Sequence, residues 1–264
     1  MDTQQNIIYK YRAFDKEEHS LDILRNGELW FAFPKTLNDP FDCKIEFDLT
    51  STMDTYASIW RKISNSRSII EQKPSCIDSL IEMFYPEIPF RVLSLTKNPL
   101  NFLMWSHYAD SHKGFCIGLK TYKDMDANSI KIESGQVIEK NKYDIINLLP
   151  LIPVIYSDDM PSPIDAFKTA TDEESIRFLT QKSTLWKYEE EQRCILDNNV
   201  LLKPGTPIKI SKDDIAEIIF GLNIKNEDKE KIINIVSNYE IKPKIYQCKY
   251  VKGKYELKRE EINY

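Results

Sequence analysis

Two glutamates one residue apart, Glu189 and Glu191 in the run WKYEEEQR (186–193), carry the clearest chemical signal in this chain. As a strand, the run projects Glu189, Glu191 and Arg193 from one face. Two carboxylates about 7 Å apart beside an arginine and aromatic rings can bind a ribose diol and stabilise developing cationic charge. As a helix, Glu189 and Arg193 form an ordinary i, i+4 ion pair worth a few tenths of a kcal/mol. The apolar run CIL that follows favours a strand from about Glu190 onward.

The segment LMWSHYADSHKGFCIGL (103–119) concentrates polar and aromatic groups and holds two of the three histidines, His107 and His112. Helical spacing puts Leu100, Leu103, Met104, His107, Tyr108 and Ser111 on one face. A protonated imidazole near the helix C-terminus would be favoured by the helix dipole. Equally, His107 and Tyr108 fit the edge of a core, with His112 and Lys113 capping the helix. A metal set of His107, His112 and Cys116 fails on spacing, because i, i+5 does not align two imidazoles. In TLNDPFD (36–42), Asn38 and Asp39 make either a tight turn or a loop facing a ligand. In IYKYRAF, Lys10 and Arg12 share a strand face and either grip an anion such as pyrophosphate or form a charged outer face. No Ser-His-Asp or Cys-His arrangement stands out.

The elements that must position these groups are strands and helices mixed without a regular βαβ rhythm. IIYKYR, Glu28 to Phe33, RVLSLT, FCIGL, PVIYS, RCIL, EIIFG, KIYQCKY and YELKREEI read as strands. The last two form a hairpin around Lys252-Gly253. Helices are expected over 19–26 with Gly27 as a left-handed stop, 52–65, 75–85, from an Asn98 cap to about Ser111, over most of 162–185, and over 226–238. The expected class is α+β with a mixed, largely antiparallel sheet and flanking helices.

The chain has 264 residues, with 41 acidic against 36 basic side chains and a net charge of -5. An acidic balance argues against broad nucleic-acid binding but leaves room for a local basic groove. Seven glycines leave no GxGxxG or GxxxxGK[ST] cradle, which removes recognisable Rossmann and P-loop readings. Five scattered cysteines without CxxC spacing fit reduced thiols. The start lacks an apolar stretch and no 18-residue apolar window exists, so the expected location is the cytoplasm, with no membrane partner.

Taken in order, YKYR, NDPFD, SLT…LMWSHYADSHKGFCIGL, VIY and W-K-Y-E-x-E-x-R resemble the bacterial family known as domain of unknown function 2971, over about residues 7–221. We read residues 1–264 as one domain, with 222–264 an extension that either completes the sheet or mediates self-association. More remotely, Tyr9-Lys10-Tyr11-Arg12 and Ile23-Leu24-Arg25-Asn26-Gly27-Glu28-Leu29 are similar to the opening of the ADP-ribosyltransferase fold, especially DarT-like members. That resemblance implies NAD as substrate, a nucleic-acid or protein acceptor, and a toxin or phage-defence role. It implies Glu191 as the catalytic glutamate, with Glu189 and His107 beside it. Binding would fall to Lys10, Arg12, Asn38, Asp39, Trp105, Tyr108, His112 and Lys113, with no metal. No clean His-Tyr-Glu or Arg-Ser-Glu triplet is present. The alternatives are a non-catalytic ligand- or partner-binding module, and a metal-dependent hydrolase or nuclease using Glu189, Glu191 and His112.

Overall fold

The computed structural model describes residues 6–48, 90–124, 127–137, 147–165, 171–197, 201 and 205–264. The helices expected over 52–65 and 75–85 lie outside these residues. Among the described ones, a central sheet is built from β1 (Ile7–Arg12), β2 (Phe90–Thr96), β3 (Phe115–Lys120), β4 (Ile152–Pro153), β5 (Glu191–Asp197), β6 (Ile215–Phe220), β7 (Lys244–Tyr250) and β8 (Leu257–Ile262). Their order is β8-β7-β6-β3-β1-β2-β5-β4. Only β6 and β7 run parallel, so the class is α+β with a mostly antiparallel sheet. Residues 222–264 complete that sheet.

Side-chain alternation sorts the layers. Ile8 of β1 joins a cluster with Leu21, Leu24, Ile117 and Ile232, which packs α1 (Asp22–Asn26) and α4 (Asn226–Val236) on one face. Tyr9 and Tyr11 point the other way, where Tyr11 meets Trp105 edge-on at 5.0 Å. Trp105 belongs to α2 (Phe102–Tyr108), and Phe178 and Leu179 bring α3 (Asp172–Thr180) against Val92 and Cys43. Gly27 closes α1 at φ 70°, as its position predicts. The described cysteines, Cys43, Cys116, Cys194 and Cys248, are all buried and unpaired.

Several boundaries differ from expectation. The cap of α2 is Asn101, whose side chain accepts from the Leu103 and Met104 amides, while Asn98 instead accepts from Leu100 in a turn through Pro99. The helix stops at Tyr108 because Asp110, Ser111 and His112 are all left-handed (φ 44°, 54° and 68°). The long helix over 162–185 shrinks to α3, since Gln181–Ser183 is drawn into parallel pairing with Ile155–Ser157. The strand from Glu28 shortens to Glu28–Leu29, and Ala32 bridges to Val92.

The sheet opens between β1 and β2. These strands share one register pair, Tyr9 with Thr96, and two residues along β2 Lys10 Nζ donates to the Ser94 carbonyl at 2.9 Å. Beyond that, Val92 exchanges both backbone bonds with Ala32 instead of β1.

The left-handed turn is held by two glycines. The Gly221 amide donates to Gly114 O at 3.0 Å, and a Cβ on Gly221 would stand 2.1 Å from His112 O. Neither backbone can yield without breaking the β3–β6 ladder. Gly221→Ala is therefore expected to lower stability by about 3 kcal/mol, the upper end for overpacking. A urea midpoint unchanged from the parent would refute this close approach.

Candidate functional site

The residues before β5 form a 3-10 turn, Thr184–Glu189, and Glu190 then takes a left-handed conformation (φ 47°) that redirects the chain into the strand. The strand thus starts at Glu191, and Glu189 reaches the same place from the end of the turn. Between them lies Lys182, whose Nζ donates to Glu189 Oε2 at 2.6 Å and to Glu191 Oε2 at 3.2 Å. Asp42 Oδ2 is 3.5 Å from the same ammonium. Arg193 then clamps the other side. Its Nε and Nη2 donate to the two oxygens of Glu191 at 2.7 and 3.1 Å, and Nη1 and Nη2 donate to Asp42 at 2.9 and 2.6 Å. Three carboxylates and two cations are buried together.

The two glutamates are not equivalent. Burial alone would raise the pKa of Glu191, but Arg193 and Lys182 more than offset it and bring it down to about 2. For Glu189 burial wins over Lys182 and the Tyr108 hydroxyl, and its pKa is raised. Lys182 is held above its ordinary value because its three carboxylates overcome desolvation. Tyr108 donates to Glu189 Oε1 at 2.5 Å and accepts from Asn38 Nδ2 at 3.3 Å. Both oxygens of each glutamate are therefore occupied: those of Glu189 by Lys182 and by a Tyr108 hydroxyl that leads to the exposed Asn38 amide, those of Glu191 by Arg193 and Lys182.

The sign of the pH dependence follows from Glu191. Its folded pKa lies below the ordinary 4.5, so its contribution is present above 4.5 and is lost as pH falls through about 2. Glu189 works in the opposite sense, because protonating it favours the fold. The urea midpoint of the parent is expected to drop as pH falls from 4.5 to 2. The corresponding loss of stability is about 1.4 kcal/mol for each pH step of one across that window. Glu191→Gln should show a flatter acid limb. Equal slopes would exclude Glu191 as the source.

Lys10 looks onto this cluster from the opening in the sheet. Its side chain is partly accessible and donates to the Ser94 carbonyl. Burial and then Arg12 lower its pKa to about 8, against the pull of Glu191 and Glu189. On the outside, Trp186, Tyr188 and the exposed His107 form a group of rings with centroids 6.0–6.5 Å apart. Lys182 Nζ lies 5.0 Å from the centre of the Trp186 ring.

The structure thus brings Glu189, Glu191, Tyr108, Asn38 and Lys10 together, with His107 at the margin. It separates the others. Trp105 is fully buried, with Nε1 donating to Pro99 O and its ring stacked on His112, so it has no face for a ligand. His112 is taken up by that stack and by Ser106 Oγ at 3.3 Å. Lys113 is exposed beside Asp110 at 3.5 Å. Arg12 has its pKa lowered by burial, with Asp15 and Asp22 rather than the glutamates as the carboxylates that act on it. Asp39 caps its own turn by accepting from the Phe41 amide at 2.9 Å, while Asp42, three residues on, enters the cluster. Lys182, Asp42, Arg193, Tyr156 and Trp186 complete the site; Tyr156 Oη accepts from the Glu191 amide at 2.9 Å.

No group of three or more His, Cys, Asp or Glu side chains is placed to hold a metal ion among the described residues. The three carboxylates converge on an ammonium and a guanidinium, which occupy the position a divalent cation would need. Two recesses, of about 90 Å³ beside Arg177 and Phe178 and about 430 Å³ beside Glu28 and Gln136, share no residue with the cluster.

Residues 104–194 match the family model described as a protein of unknown function, DUF2971. No curated protein and no solved structure matches the chain. The matched segment supplies Tyr108, Lys182, Glu189, Glu191 and Arg193, while Asp42 and Asn38 bond to it from outside and Lys10 lies near enough for both glutamates to act on its charge. No helix among the described residues is long and apolar enough to cross a membrane.

Proposed function

We propose that this chain is a cytoplasmic, ADP-ribosyltransferase-like enzyme that consumes NAD and modifies a nucleic acid or a protein, as a toxin or phage-defence effector would. The observation that carries this reading is the Glu189 carboxylate. It is buried, its pKa is raised, and it is held between Lys182 and Tyr108 beside a second glutamate that Arg193 keeps charged. Glu189 would meet a ribose by exchanging its bond with the Tyr108 hydroxyl, which the exposed Asn38 amide covers through a long bond of 3.3 Å, whereas Glu191 would have to break the Arg193 clamp.

The donors present suit a dinucleotide. Lys10, deep in the sheet opening, fits the pyrophosphate, and the Trp186–Tyr188–His107 rings fit a planar base or nicotinamide. NAD bound there supplies an N-glycosidic bond that breaks with its electron pair leaving on nicotinamide, while an acceptor takes its place and gives up a proton. Glu189 would set negative charge where positive charge develops and receive that proton. Glu191, locked by Arg193, would fix the field around it. Trp186 and Tyr188 take the stacking role expected of Trp105.

A second reading is favoured by the mutual neutralisation of Asp42, Arg193, Glu191, Lys182 and Glu189, which a passive binding module would also need. Nicotinamide release from NAD separates the two. Turnover that disappears with Glu189→Gln supports the enzyme. No release from the folded parent with either acceptor class favours the module.

A further inference from the structure

A second surface lies at the opposite edge of the sheet. From residue 241 to residue 255 every charged side chain is a lysine, in a chain whose net charge is -5. The β7–β8 hairpin sets Lys249 directly opposite Lys258, a like-charge pair that destabilises an isolated ladder. Lys229 of α4 stands near enough that, after burial, Lys249 is what lowers its pKa. Lys258, Lys254 and Lys244 have Glu260, Glu256 and Glu261 at 2.7, 3.8 and 3.9 Å, whereas no ion pair within 4 Å engages Lys249 or Lys252 among the described residues, although Lys249 is near enough that, after Lys258, it helps lower the pKa of Glu260. At the tip, Tyr255 is completely exposed, and Tyr250 is 71% exposed.

Lysines free of direct ion pairs, here Lys249 and Lys252, beside exposed rings are the combination that holds a flexible polyanion with unstacked bases: the cations track phosphates and the rings stack on bases. An anionic membrane would ask instead for apolar groups to insert, and the tip between Tyr250 and Tyr255 carries only Val251, which is half-buried. We propose that the β7–β8 hairpin, with Lys229, is a docking surface for single-stranded nucleic acid. It stands apart from the charge cluster and holds whether or not NAD is consumed there.

The test is fluorescence anisotropy of a labelled oligothymidylate of about 20 nucleotides, a length that exceeds one binding site, titrated with the full chain. Binding should weaken steeply with salt. Tyr255→Ala should weaken it about tenfold through the loss of stacking. Replacing Lys249 and Lys252 by Gln should reduce the log–log salt slope by about 0.7 for each phosphate that is no longer neutralised. All three residues are exposed, and far-UV circular dichroism checks that the variants keep the fold. No binding at low salt, binding indifferent to both changes, or sedimentation with phosphatidylserine vesicles in preference to the oligonucleotide would overturn the proposal.

Discussion

Glu189→Gln is expected to abolish most NAD cleavage, by about 10²–10³-fold, while leaving stability within about 1 kcal/mol of the parent. The size follows from removing a preorganised charge in a site shielded from water, where such groups act most strongly. Stability is spared because the amide can still accept from Lys182, and Lys182 keeps Glu191 and Asp42 as partners. The substitution also removes a carboxylate whose burial is unfavourable in its own right. Glu191→Gln should behave differently, since it leaves Arg193 without half of its clamp and lowers stability first. Cleavage that persists in the Glu189 variant would reject Glu189 as the reacting carboxylate, and stability lost equally in both would mark the pair as structural.

Arg193→Met should cost about 3–5 kcal/mol, the largest loss expected of any single substitution in the cluster. Arg193 is fully buried and donates to Asp42, Glu191 and the Leu179 carbonyl. Without it, Asp42 and Glu191 share Lys182 alone, and two buried carboxylates lose their bidentate donors. Arg193→Lys should recover only part of the loss, because an ammonium cannot present a planar fork to both. Urea-induced unfolding measures both variants. A loss below about 1 kcal/mol would mean that water or movement of the Asp42 loop already compensates the charges.

Much of the sheet is legible in the sequence because its strands are apolar runs bounded by turn residues: IIYKYR, RVLSLT, FCIGL, EIIFG and KIYQCKY all appear where periodicity places them. The buried face of α2 only partly follows the stripe that periodicity suggests. The expected stripe holds at Met104, which is buried, but Trp105 and Ala109 beside it are buried too, while His107 on the stripe is exposed. The glutamate pair is visible as a pattern, yet its partner is not. Lys182 lies in a stretch that reads as helix, and only the pairing of Gln181–Ser183 with Ile155–Ser157 turns it inward. Asp42 is hidden by its neighbours, since Asn38 and Asp39 have the stronger turn chemistry. Its position between Phe41 and Cys43 is the available hint of burial.

Asp42 and Arg193 are 151 residues apart in the chain. At the usual 5–20 residues per second of synthesis, about 8–30 s separate their emergence from the ribosome. For nearly all of that interval Asp42 must remain hydrated, because Lys182 and Glu189 are made only just before Arg193. An N-terminal fragment therefore cannot assemble the cluster, however well its early strands pair. Any chemistry that depends on the cluster thus waits until Arg193 has emerged.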